Sequence, residues 1–141
     1  MRLTNPEDIM LCTKDEIYYY LRIGHREFWQ WIADNAEASL KQAPFILKTQ
    51  WPGWPQYAKV ISPSFISEHS YCFACIYTGI LLKKGLVENG QECKNCPIKW
   101  EEGERQDVEC LEGDGLYTRW KKSTTVEDRR KYAILIKEGW A

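Results

Sequence analysis

Two Cys-x-x-Cys steps, Cys72-Phe-Ala-Cys75 and Cys93-Lys-Asn-Cys96, lie seventeen residues apart in a chain of 141. Each step aims two thiols the same way from one tight turn, and this separation matches a four-cysteine zinc site. Zinc lowers thiol pKa values, so Cys72, Cys75, Cys93 and Cys96 are expected to bind as thiolates at neutral pH. Four thiolates leave no open coordination position, so the expected ion is one structural Zn²⁺ and not a catalytic one. His69, at His69-x2-Cys72, and Cys110 each offer a substitute for one of the four. Gly79, Gly85 and Gly90 suit a hairpin-like excursion between the two steps. A disulfide framework is the competing use of six cysteines, but nothing marks the chain as secreted. Cys12, just ahead of the first helix, reads as a buried thiol.

The length fits one domain over residues 1–141, large enough to bury a real core. A net charge of −1 excludes a polycation that wraps nucleic acid with its whole surface. There is no apolar run long enough to span a membrane. Met1 to Glu16 lacks the apolar stretch of a secretory leader, so the expected location is the cytoplasm. The charge is nevertheless uneven. Residues 88–115 carry three bases and nine acids, whereas residues 116–141 carry seven bases and three acids. These blocks read either as solvated faces that attract each other or as an anion-binding C-terminal end.

Periodicity predicts a long N-terminal helix over 13–35. Thr13 followed by Glu16 forms a capping-box pattern, and Ile17, Leu21, Gly24, Phe28, Trp31 and Ile32 recur as a core stripe. A further helical turn over 36–42 is expected to stop at Pro44. Trp51-Pro52-Gly53-Trp54-Pro55 reads as an aromatic, turn-rich loop, with a strand possible over Tyr57–Ile61. Ile76–Leu82 fits a strand or a short helix equally well. Glu101 to Gly115 is an acidic loop. Leu116, Tyr117 and Trp120 share one side of a short helical piece, and Thr124 with Glu127 is expected to cap a last helix, Val126 to Lys137. The expected fold is therefore α+β: the long first helix, a zinc-knuckle module over 69–110 with short strands, and a C-terminal helical segment over 116–137.

The first helix carries a second stripe, Tyr18, Arg22, His25 and Trp29. An arginine, a histidine and two flat aromatics on one face suit an anionic, planar ligand. Their alternative use is a two-sided buried helix. Trp51 and Trp54 are candidates for a second ligand wall or for a cover over the core edge. Arg129 and Arg130, near the start of the last helix, extend the anion-binding option. There is no Gly-rich phosphate loop, no His-Glu-x-x-His and no Gly-x-Ser-x-Gly. A pairing of Cys and His for nucleophilic catalysis is also missing.

The run His25-Arg-Glu-Phe-Trp29-x-Trp31-Ile-Ala-Asp-Asn35, a Trp-Pro loop, Cys72-Phe-Ala-Cys75, Cys93-Lys-Asn-Cys96-Pro97-Ile98-x-Trp100, Cys110 and Leu116-Tyr117-x-x-Trp120 together resemble a group of small cysteine-rich proteins of tailed bacteriophages. The likeness covers about residues 14–137. Such an origin implies an accessory protein that acts against host defences. The expected function is non-catalytic capture of a nucleotide-derived immune signal, of ADP-ribose type or a cyclic nucleotide, by a homo-oligomer. The alternative is a zinc-ribbon adaptor for nucleic acid or a host protein.

Overall fold

The computed structural model describes residues 3–40, 42, 44–61, 72–91, 93–99 and 115–140, with the backbone alone at 44–46 and 93. Among these residues the secondary structure is helical throughout, with no strand, which corrects the α+β expectation.

The chain opens with α1 (Pro6–Met10), and α2 (Lys14–Asp34) is its spine. Thr13 Oγ1 accepts from the Glu16 N–H at 3.1 Å while Glu16 accepts from the Thr13 N–H at 2.9 Å, so the expected capping box forms. The short α3 (Ala36–Ser39) follows after a break at Asn35. Pro44, read in sequence as a stop, instead opens α4 (Pro44–Gln50). Proline cannot continue a helix but suits its first position, where the missing N–H is not needed. Likewise α5 (Trp54–Ala58) holds Pro55 in its first turn and takes up the start of the expected Tyr57–Ile61 strand.

The ambiguous apolar run becomes α6 (Phe73–Lys83). Ile76, Tyr77, Ile80 and Leu81 are all buried there, so apolar residues surround much of the helix and hide its period. A 3₁₀ turn spans Cys93–Asn95, and α7 (Leu116–Lys122) and α8 (Val126–Glu138) complete the order. The cap of α8 is Thr125, whose side chain accepts from the Asp128 N–H at 3.2 Å, one residue later than the Thr124–Glu127 pair read in sequence.

α8 runs antiparallel along α2: His25 meets Ile136 near one end, and Arg130 meets Ala33 near the other. α6 packs on another side of α2. Gly24 marks a close approach to α6 and α5, since a Cβ there would stand 2.8 Å from Phe73 and 2.9 Å from Tyr57. The core between these helices is aromatic. Trp29 meets Trp120 edge-on at 5.2 Å between ring centres, and Phe28 packs against both Trp51 and Phe73.

Candidate functional site

The second stripe of α2 does not form one ligand-facing surface. His25 is fully buried, and its Nε2 donates to the Ile136 carbonyl at 2.9 Å. Burial pushes its pKa down to about 3, with the Ile136 hydrogen bond opposing and the Arg26 charge adding a smaller downward effect. Tyr18 and His25 both contact Trp140, while Trp29 faces the other way onto Trp120. Arg22 is half-buried.

Trp51 and Trp54 are core residues grouped around Phe73. Arg129 serves as a staple. Its guanidinium donates to the carbonyls of Ser123, Ser39 and Lys121, at 3.2, 3.1 and 3.0 Å, and lies over the Trp120 ring. Its donors therefore satisfy chain carbonyls near the ends of α3 and α7. Arg130 is the exposed one of the pair. Among the described residues its Nε alone is engaged, with the Ala33 carbonyl at 3.3 Å.

The expected zinc centre is also corrected. Among the described residues no three His, Cys, Asp or Glu side chains form a group that could hold a metal ion. No disulfide joins Cys12, Cys72, Cys75 or Cys96. The Cys93 side chain, His69 and Cys110 lie outside the described residues. The first Cys-x-x-Cys step is not a free-standing knuckle: Cys72 is the N-cap of α6. The Cys75 thiol, the Lys48 ammonium and the backbone N–H groups of Cys75 and Ala74 draw the Cys72 thiol below its usual pKa, against the effect of burial.

Lys48 was not singled out by sequence reasoning. Its Nζ is buried without a hydrogen-bond partner among the described residues, 4.6 Å from the Phe73 ring centre, 5.3 Å from Trp54 and 5.8 Å from Phe28. Burial pushes its pKa down to about 7, and the Cys72 and Cys75 thiols oppose that shift.

Two surface grooves flank the end of α2. The first, of about 470 Å³, is lined by Arg26, Glu27, Gln30, Trp31, Asp34, Trp51 and Lys137. The second, of about 480 Å³, includes Asp34, Asn35, Glu37, Val126 and Arg130 in its lining. Asp34 belongs to both.

Its carboxylate is held by a chain of hydrogen bonds. Lys137 Nζ donates to Gln30 Oε1 at 2.8 Å, which leaves the Gln30 amide nitrogen to donate to Asp34 Oδ1 at 3.0 Å. Lys137 is steadied in turn by Glu138 at 3.3 Å, and Glu138 also pairs with Arg26 at 3.2 Å. Arg26 further donates to the Lys137 and Trp140 carbonyls at 3.3 and 3.2 Å, closing the end of α8. Trp31, assigned in sequence to the core stripe, is only half-buried and lines the first groove. The spacing Glu27-x3-Trp31-x2-Asp34 beside Arg26-x3-Gln30-x3-Asp34 was the available signal. What it lacked was the partner, Lys137, 107 residues from Gln30.

No protein-family model, curated protein or solved structure matches the chain. No described helix is long and apolar enough to cross a membrane.

Proposed function

We propose that this protein binds a nucleotide-derived ligand and holds it without converting it, in the two grooves that meet at Asp34. One observation carries the reading: the Lys137–Gln30–Asp34 chain fixes an acceptor between an indole-lined groove and an arginine-tipped one. Acceptors oriented before binding lose little freedom when a ligand arrives. Each groove has the volume of a small-molecule site. A base stacks on Trp31, and its polar edge meets Glu27 and Gln30. Phosphate goes to Arg130, whose Nε anchor at Ala33 leaves the terminal nitrogens for a bidentate contact. Retention without turnover amounts to sequestration.

The test is calorimetric titration with ADP-ribose, followed by mass analysis of the recovered ligand. Saturable binding with unchanged ADP-ribose is expected. Loss of the stacking ring in Trp31→Ala should weaken binding about fivefold to 150-fold, since stacking a base contributes about 1–3 kcal/mol. An absence of binding at low salt would overturn the reading. The exposed bases Lys121, Lys122 and Lys131 support a nucleic-acid adaptor less well, because exposed Glu127 and Asp128 lie among them in sequence.

A further inference from the structure

We infer that the ligand carries a free vicinal diol, and that Asp34 reads it; this rests on the binding reading above. Asp34 is the last residue of α2, where the helix end is negative and acceptors predominate. A carboxylate at that end repels phosphate, so the junction between the grooves suits neutral donors. Asp34 Oδ1 already takes the Gln30 proton. Among the described residues no partner engages Oδ2, and each carboxylate oxygen accepts more than one hydrogen bond. Two adjacent hydroxyls match such a group, as in the contact of an acidic residue with ribose in dinucleotide sites.

The order of groups along the ligand follows from the order of side chains along the grooves. The ring lies at Trp31, the sugar at Asp34 and the phosphate at Arg130. This separates the two ligand types left open by the sequence. A nucleotide of ADP-ribose type has a free 2′,3′-diol. A 3′,5′-cyclic nucleotide has its 3′ oxygen esterified and would press a phosphate charge against Asp34. Gln30 and Lys137 are positioning residues here, because they act on the ligand through the carboxylate they orient.

The experiment is titration with four probes: ADP-ribose, AMP, 2′-deoxy-AMP and 3′,5′-cyclic AMP. ADP-ribose and AMP should bind, and the other two should bind about tenfold to a hundredfold more weakly, as expected for loss of a hydrogen bond to a charged group. In Asp34→Ala the gap between AMP and 2′-deoxy-AMP should close. Asp34 is exposed, so this variant is expected to fold. In Lys137→Met the gap should narrow while the melting temperature changes little, an effect that a merely structural lysine would not produce. Equal affinity for AMP, 2′-deoxy-AMP and cyclic AMP overturns the diol inference alone. Failure of every probe to bind overturns it together with the binding reading.

Discussion

Lys48 is a long, charged side chain enclosed by rings, and its burial sets up a test of which force dominates. The displacement of its pKa from 10.5 to about 7 corresponds to about 5 kcal/mol against the charged form in the fold. The three ring faces return about 2 kcal/mol as cation–π attraction. Removing Lys48 strands no opposite charge, because the Cys72 thiolate can take up a proton and become a neutral thiol. Lys48→Met should therefore stabilise the protein by about 1–3 kcal/mol at pH 7, within the range seen when buried charges are replaced by apolar groups. The sign follows the depressed pKa. The penalty is full at and below pH 7 and fades as pH approaches 10.5, where the unfolded chain also loses the proton. Denaturant melts of both proteins across that range check it. A methionine variant less stable at pH 7 would show that attraction to the Cys72 and Cys75 thiols outweighs desolvation.

At the level of helices, Gly24 shows how packing overrides propensity. In isolation Gly24→Ala would favour α2 by about 1 kcal/mol. In the fold the new methyl meets Phe73 and Tyr57 at under 3 Å, and both rings are buried. Overpacking of this kind costs about 1–3 kcal/mol, so the variant should lower the melting temperature. An unchanged or raised value would mean that α5 and α6 can retreat freely.

The same contrast explains what the sequence made legible. α2 was readable because Thr13, Glu16 and the stripe from Ile17 to Ile32 all act locally. α4, α5 and α6 were not. Pro44 and Pro55 admit either a stop or a start, and burial around α6 erased its period. Cys72-x2-Cys75 suggested a metal knuckle, but spacing alone did not reveal that Cys72 stands at the N-cap position of a helix. Trp31 looked like core because it follows Phe28 by three residues, at helical spacing. The orientation of Asp34 depends on Lys137 and required the folded chain.

At the scale of the molecule, the seam between α2 and α8 makes the fold sensitive to acid through His25. His25 is neutral in the fold: Nε2–H bonds the Ile136 carbonyl, Nδ1 has no hydrogen-bond partner among the described residues, and Trp140 packs against the ring. Its pKa lies near 3 when folded and 6.5 when unfolded. Above pH 6.5 neither state binds the proton, and the contribution to stability is complete. As pH falls from 6.5 toward 3, only the unfolded chain takes up the proton, so stability is lost with a slope of up to about 1.4 kcal/mol per pH unit. Asp8, Glu16 and Glu138 also have lowered pKa values, but Glu16 and Glu138 are exposed and Asp8 is only partly covered, so they add little. A fall in unfolding free energy is therefore expected between pH 6.5 and 4.5. His25→Phe keeps a ring against Trp140 and removes the titrating group. That variant should be less stable at pH 7.5, having lost the bond to Ile136, yet much flatter between pH 6.5 and 4.5. Because His25 joins the two longest described helices, the transition should be the same by far-ultraviolet dichroism and by tryptophan fluorescence. Wild-type stability that stays level down to pH 4.5 would show that the seam opens locally and admits the charged imidazole without unfolding.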